Sequence, residues 1–486
     1  MFFIDTRNQK VLGKFQDIVL NNARNRDCGL FVPSFLVKID NEEIHSLSNK
    51  SYKQILITLL SKFSDNSIDI QTLTTLVNNA YKNFNRGFGP PLNNLNLSKD
   101  DCFSMQTLTK NVEIVNLTHG PTGCVKDYGY CLTAELINYF AKKQNQMMSV
   151  IDVSNGSSGA SMAWAIRDKE YLKGFALMNK TKNNSIHALI SQAKTDNIDY
   201  AVTDCDVNFI NKMNKDIQNN ICLYEIINLS FINEINLINI IAYLPVFFKI
   251  YKRCNMKPFC ISVPTGNMTL GIAAFFAKQM GIPVKKIILA TEKNNFLYDI
   301  QDVKVAMQNY NIEDGCSNLY TNIPTNFERL LFYLYSNNQT SLNRSMKELE
   351  SNDRYRINDH LFLKFAENFF VAKCDNQFNI RNVIYSTIKE KELYVEQHFA
   401  IAKIAVDVAQ SEIPNEVANL PVVIFNTLDY RRNISFVNSA LGYDLTNVDF
   451  PWTDEDVKQF SPTEIIQDTN AILTYILNVL EAKKIK

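Results

Sequence analysis

The sequence lacks an excess of charge of either sign. Its 486 residues contain 50 Lys and Arg against 50 Asp and Glu. A chain without net charge has no electrostatic footprint for nucleic acid or for an anionic membrane surface. We therefore expect the protein to bind a small-molecule substrate and to bind neither nucleic acid nor a membrane. We expect it to be a monomer or a homodimer.

The sequence also lacks paired cysteines. Its ten cysteines are scattered, and none of them shows the two-residue spacing that is typical of zinc and redox sites. This pattern predicts buried free thiols and no metal site. Asp5 and Arg7 lie where a signal peptide would need an apolar run, so export is not expected. Both features predict a protein of the reducing cytoplasm.

No apolar run is long enough to cross a membrane. The most apolar stretch, residues 235–251, is shorter than the roughly 20 residues that a span requires. It also contains Asn236, Asn239 and Pro245. The stretch therefore predicts a buried core helix.

The spacing of apolar residues changes at about residue 95. Residues 1–95 read as a mainly helical segment that ends in a Gly- and Pro-rich linker at residues 87–96. Beyond it, short β-branched runs alternate with helical stretches, which predicts an α/β architecture with largely parallel sheets. Ligands of such sheets bind outside the carboxyl ends of the strands, so the strand-to-helix junctions are the places to inspect. The tail after about residue 430 shows no motif.

The first junction, NVEIVNLTHGPTGCVKDYGY, carries Lys126 and His119. A lysine held at the mouth of a sheet can be desolvated, which lowers its pKa and makes it a Schiff-base former. Taken alone, an exposed lysine at a helix start and a hydrogen-bonded histidine explain these residues better than catalysis does.

The second junction, SNGSSG at residues 154–159, lies between a strand and a helix. Its small residues let the main chain approach a ligand, and the free amides of a helix start favour an anion such as a carboxylate. The candidate substrate residues are Ser154, Asn155, Ser157 and Ser158 of this loop and His119 of the first junction. When such a loop stands alone, a turn with an N-cap is its more usual explanation.

The third junction, PTGNMTLG at residues 264–271, leads into a helix that begins without an acidic residue, as a phosphate cradle should. It has neither the Walker lysine pattern nor the dinucleotide fingerprint, which disfavours a nucleoside triphosphate or NAD. One lysine and two anion-binding helix starts match what pyridoxal 5'-phosphate (PLP) chemistry needs.

The segment HGPTGCVKD resembles the segment around the PLP lysine of the threonine synthases, a family of fold type II PLP enzymes. Four further segments resemble motifs of that family in the same order, so the likeness runs from about residue 4 to about residue 435. They are IDTR at 4–7, DCGLFVP at 27–33, VPTGN at 263–267 and TNFERLLF at 325–332.

The resemblance implies a tryptophan synthase β-like fold with parallel-sheet domains and a helical N-terminal segment. The expected domains are 1–95, a large PLP-binding domain of 96–145 with 260–486, and a smaller α/β domain of 146–259. Lys126 would carry PLP as a Schiff base and shuttle protons. The amides of four residues would hold the cofactor phosphate, and Thr427 would face the pyridine nitrogen with a neutral hydroxyl that leaves this nitrogen unprotonated. The four are Gly266, Asn267, Met268 and Thr269.

The departures from the family pattern concentrate where substrate should bind. The acidic residue of the family's TSGDTG is here Ser157, and the arginine of its NSINWAR is here Asn236. The segments 396–400 and 427–432 depart from the family's DPHTA and TAHPAK. Arg329, in the retained NFERLL segment, is a candidate for the missing contact to an anionic substrate, although a structural role fits it equally well.

The leading prediction is a PLP-dependent carbon-oxygen lyase that converts O-phosphohomoserine and water to threonine and phosphate, as threonine synthases do in threonine biosynthesis. Two alternatives remain open. One is a PLP-dependent lyase or replacement enzyme that acts on another phosphorylated or O-substituted amino acid. The other is a non-catalytic paralogue that serves as a binding subunit.

Overall fold

A small antiparallel sheet and four helices form the N-terminal part of the chain. The sheet has the order β2-β1-β3. The computed structural model describes residues 1–20, 29–85, 87–89, 101–154, 157–179, 184–193, 196–203, 226–308, 321–464 and 469–482, with 209, 212–213, 216–217 and 319. Most of the predicted linker and Asn155 lie outside these residues. The elements are β1 (Phe3–Asp5), β2 (Leu12–Gly13), α1 (Phe15–Leu20), β3 (Phe31–Pro33), α2 (Asn41–Ser48), α3 (Tyr52–Phe63) and α4 (Ile70–Ala80).

The largest sheet has six strands in the order β14-β11-β10-β15-β5-β4. All neighbours pair in parallel except β4 and β5. Every residue of β10 and of β15 is buried, as in parallel strands that are covered on both faces. Its strands are β4 (Ser104–Thr109), β5 (Val112–Asn116), β10 (Phe259–Pro264), β11 (Val284–Thr291), β14 (Phe369–Lys373) and β15 (Val422–Asn426).

A second sheet has five parallel strands in the order β16-β8-β7-β6-β9. Its strand β16 comes from the C-terminal part of the chain, and residues of the last helix pack into the apolar core of this sheet. The tail therefore packs with residues 146–259, whereas the sequence placed it in the large domain; the domain division itself stays a prediction. The strands are β6 (Met148–Ser154), β7 (Leu172–Asn179), β8 (Ile198–Thr203), β9 (Leu229–Ser230) and β16 (Thr463–Glu464).

Helices connect and cover the two sheets, and β12 (Val305–Met307) pairs with β13 (Arg354–Arg356). The predicted α/β fold with largely parallel sheets is confirmed. The helices are α5 (Lys126–Gln144), α6 (Ser157–Ile166), α7 (Asn184–Ala193), α8 (Ile238–Arg253), α9 (Thr269–Met280), α10 (Phe296–Val303), α11 (Phe327–Leu334), α12 (Gln339–Asn352), α13 (Asp359–Asn368), α14 (Gln377–Lys391), α15 (Gln397–Glu412), α16 (Pro414–Val417), α17 (Ile434–Leu441), α18 (Asp454–Lys458) and α19 (Thr469–Ala482), with a short 3-10 helix at Tyr430–Asn433.

Helix α8 lies in the largest apolar core of the chain. Twelve of its residues are buried, including Pro245, so the predicted core helix is confirmed. None of the helices in the described ranges is long and apolar enough to span a membrane.

Strand pairing brings the first and the third of the predicted junctions together. Asn116 at the end of β5 pairs with Asn426 at the end of β15, and β15 also pairs with β10. Because parallel strands end at the same edge of a sheet, the segments that follow β5, β10 and β15 lie side by side.

Candidate active site

Lys126 is the first residue of α5, and the turn before it is held by the chain that follows β15. The N–H of Val125 donates to the carbonyl of Thr427 at 2.9 Å, and the N–H of Asp429 donates to the carbonyl of Gly123 at 2.8 Å. Gly123 has a φ of +67°, and a Cβ there would lie 2.5 Å from the Phe88 ring. The turn therefore requires glycine at this position, and it fixes the start of α5.

The Lys126 side chain reaches two other segments of the site. Its Nζ donates to the hydroxyl of Ser158 at 2.5 Å, and it lies 3.4 Å from a carboxylate oxygen of Glu234. The two side chains of this ion pair are 23% and 15% exposed. Lys126 thus joins the start of α6 to the segment before α8.

The predicted lowering of the pKa of Lys126 is wrong. Burial does lower this pKa, but the negative charges of Glu234 and Asp152 and the neighbouring Cys124 outweigh burial and raise it. Asp152, on β6, has its own pKa raised to about 6, chiefly by burial, although Lys126 opposes this. The lysine is therefore held as an ammonium ion, and sequence reasoning missed Glu234 as its partner.

The loop Gly266–Thr269 connects β10 to α9, which has no acidic residue in its first turn. Within the described part of the chain, the N–H groups of these four residues donate to no other group. Asn326 fixes the loop, because its side chain donates to the carbonyl of Asn267 at 3.0 Å and to the hydroxyl of Thr269 at 3.2 Å. The loop therefore offers main-chain donors to an anion, as a phosphate cradle does.

Thr427 follows β15 and contacts a histidine that sequence reasoning missed. Nδ1 of His398 lies 2.9 Å from the Thr427 hydroxyl, and both residues are buried. Burial lowers the pKa of His398 to about 3, with a smaller contribution from the charge of Lys126. The signal that could have revealed it is a histidine retained inside the otherwise altered 396–400 segment.

Arg432 is a second residue that sequence reasoning missed. Its buried guanidinium donates to the hydroxyls of Ser157 at 3.3 Å and Ser185 at 3.2 Å, and also to the carbonyl of Thr122. Ser157 begins α6, a ten-residue helix with no acidic residue in its first turn. The tail after residue 430, in which the sequence showed no motif, thus contributes a cation to the start of α6. Its signal was a basic residue aligned with the lysine of TAHPAK.

The remaining predicted site residues are His119, Ser154 and Asn155. His119 lies 2.9 Å from the Ser104 hydroxyl through Nε2, and burial lowers its pKa to about 4. Ser154 ends β6, and Asn155 lies outside the described residues.

Arg329 has the structural role that the sequence left open. It is fully buried, and its guanidinium donates to the carbonyls of Phe31, Glu234 and Ile235 and to the side chain of Asn326. Its expected contact with substrate stays a prediction, whereas these contacts show what Arg329 does in the folded chain. It supports the phosphate loop through Asn326 and the segment that carries Glu234.

These residues fit PLP. A loop of main-chain donors without acidic residues can hold the phosphate, and Lys126 is anchored on the neighbouring junction beside Thr427. At Gly266 a Cβ would lie 3.2 Å from the main chain of Leu319, so this position is restricted to a small residue.

The comparisons with known proteins agree with this geometry. A model of the threonine synthase N terminus matches residues 2–81. The threonine synthase of Methylobacillus glycogenes is 22% identical over 455 residues, which cover 91% of this chain and 92% of that protein. The threonine synthase of Corynebacterium glutamicum is 22% identical over 514 residues and 100% of both chains.

Solved structures show the same likeness. The PLP-bound threonine synthase from Brucella melitensis superposes with a TM-score of 0.86 at 20% identity, over 98% of this chain and 99% of that chain. The yeast threonine synthase gives 0.84 at 19% identity, over 99% of both. The chain therefore has the fold of the type II class of PLP-dependent enzymes. Within that class, the proteins to which the chain is similar over nearly its whole length are threonine synthases.

Proposed function

We propose that this threonine synthase-like, PLP-dependent lyase converts O-phosphohomoserine and water to threonine and phosphate, in the cytoplasm. The observation that carries the proposal is the buried guanidinium of Arg432 beside Ser157, on the junction whose Ser158 contacts Lys126. A guanidinium and serine hydroxyls are the donors that a phosphate ester prefers. In the family motif NSINWAR the cation is an arginine, and this chain has Asn236 at that position. The guanidinium of Arg432 would supply a cation in its place.

The cofactor contacts follow from the same junctions. Lys126 would bind PLP covalently, the amides of residues 266–269 would hold its phosphate, and the hydroxyl of Thr427 would face its ring nitrogen. When bound, PLP supplies an electron sink for the carbon that bears the substrate amino group.

Residues of this chain would carry out the proton transfers and bind the substrate. The amine of Lys126 would take the proton from Cα and then one from Cβ, and it would return protons to Cγ and to Cα. Glu234 and the hydroxyl of Ser158 hold that amine in place. The N–H groups at the start of α6 suit the substrate carboxylate. Arg432 holds the phosphate group that leaves from Cγ, and water adds at Cβ.

Phosphate release from O-phosphohomoserine tests the proposal. The purified protein, supplied with PLP, should be yellow and should form phosphate and threonine together, whereas Lys126→Ala should form neither. A yellow protein that releases nothing would point to another amino-acid substrate. A colourless protein would contradict the cofactor assignment.

A second set of variants tests the anion contact. Loss of a charge-assisted contact costs about 1.5 to 3 kcal/mol, so Arg432→Gln should lower kcat/KM roughly 10- to 150-fold. Arg432→Lys should retain part of the activity. Arg431→Gln is the matched control, because Arg431 pairs with Asp429 instead. Equal effects of the substitutions at 431 and 432 would contradict a specific role for Arg432.

A further inference from the structure

A buried chain of hydrogen bonds leads from the start of α15 to Thr427. Glu396 caps this helix, and an oxygen of its side-chain carboxyl group accepts the main-chain N–H of His398 at 2.8 Å. Nδ1 of the His398 imidazole lies 2.9 Å from the hydroxyl oxygen of Thr427. His398 is 5% exposed and Thr427 is 3% exposed, so water does not compete for this contact.

The imidazole of His398 is neutral at physiological pH. Burial and the nearby charge of Lys126 both disfavour the imidazolium ion. A neutral imidazole has one N–H and one bare nitrogen. The hydrogen bond to Thr427 therefore has a direction, which depends on the nitrogen that carries the proton.

The surroundings of Nε2 decide between the two tautomers. Nε2 is buried and has no hydrogen-bond partner among the described residues. Buried N–H groups without an acceptor are rarer in proteins than buried acceptors without a donor. The favoured tautomer therefore has its proton on Nδ1, so that His398 donates and the Thr427 oxygen accepts.

The direction of this bond determines where the hydroxyl hydrogen of Thr427 points. A hydroxyl that accepts from His398 cannot also donate to it, so its own hydrogen is available to a different acceptor. The carbonyl of Thr427 already accepts the N–H of Val125. Its main chain is thus tied to the turn before Lys126, which orients the residue in the site.

We propose that His398 is a positioning residue that donates to Thr427 and thereby directs the Thr427 hydroxyl hydrogen at the ring nitrogen of the cofactor. The inference rests on the proposed function, which puts Thr427 opposite that nitrogen. A ring nitrogen that accepts a hydrogen bond stays unprotonated. His398 thus influences the protonation of the PLP ring nitrogen, although it does not contact the cofactor.

The ring nitrogen of PLP labelled with 15N reports on this hydrogen bond directly. In the wild-type holoenzyme we expect the NMR shift of an unprotonated, hydrogen-bonded nitrogen. Thr427→Val removes the donor and should move the signal, and His398→Ala should move it in the same direction. His398→Asn, whose amide can donate from the position of Nδ1, should restore the wild-type shift. An unchanged signal in His398→Ala would overturn the inference.

The tautomer of His398 provides a second test that does not depend on the alanine variant folding. In wild-type protein with 15N-labelled histidine, the resonances absent from His398→Asn belong to His398. They should show a protonated Nδ1 and a bare Nε2, and a protonated Nε2 would overturn the inference. A wild-type protein that binds no PLP would instead contradict the proposed function, and the histidine spectrum of that protein would still report the tautomer.

Discussion

The ion pair between Lys126 and Glu234 yields a prediction about the reactivity of the lysine. Glu234→Gln keeps the shape of the side chain and removes its charge. At the observed 3.4 Å, an effective dielectric constant of about 20 gives a Coulomb energy of about 5 kcal/mol. Both side chains are partly exposed, so we expect solvent to reduce the effect to roughly 2 kcal/mol.

The sign of the effect follows from the charges. Glu234 stabilises the ammonium form, so its neutralisation lowers the pKa of Lys126 and increases the fraction of free amine. Since about 1.4 kcal/mol corresponds to a factor of ten, the rate of trace modification by an amine reagent at a fixed pH near 8 should rise tenfold or more. Mass spectrometry of the peptide that contains Lys126, from protein without PLP, measures this rate.

A similar ion pair elsewhere in the chain provides the control. Lys249 lies 3.5 Å from a carboxylate oxygen of Asp101, and both side chains are largely buried. Asp101→Asn should increase the reactivity of Lys249 and leave that of Lys126 unchanged. If Glu234→Gln leaves the modification rate of Lys126 at its wild-type value, the ion pair does not control this amine.

Three further predictions concern the cofactor loop, the pH dependence of stability and the core. Gly266→Val should weaken PLP binding, measured by fluorescence titration, because even a Cβ there lies 3.2 Å from the main chain of Leu319. Burial raises the pKa of Glu396 from 4.5 to about 8, so the folded state binds this proton more tightly than the unfolded state does. The free energy of unfolding should therefore fall as the pH rises between these two values. Glu396→Gln should reduce that fall, which urea unfolding at several pH values measures. Phe247→Ala should cost about 3 to 5 kcal/mol of unfolding free energy, since the ring is fully buried. Phe378→Ala, at a side chain that is 71% exposed, should change it by less than about 0.5 kcal/mol.

Much of the site was predictable because its parts are local in sequence. A strand, a short polar loop and a helix start follow one another within each junction, so the junctions could be recognised from pattern and residue type. The core helix from Ile238 to Arg253 was predictable for the same reason. It is apolar for most of its length, and a helix that is apolar on all sides is stable only when it is buried. The roles of Lys126, the Ser157–Ser158 pair and the Gly266–Thr269 loop came from the resemblance to the threonine synthases.

The sequence by itself thus determined the fold class and the segments that form the site. Only the tertiary structure decided the charges around them. Arg432 contacts Ser157 across 275 positions of the chain. Glu234 contacts Lys126 from a segment whose sequence did not indicate that contact. Electrostatic interactions depend on distance and burial, which are set only when segments that are distant in the sequence pack together. The pKa of Lys126 was therefore predicted with the wrong sign, because desolvation could be anticipated from its position but its acidic partners could not.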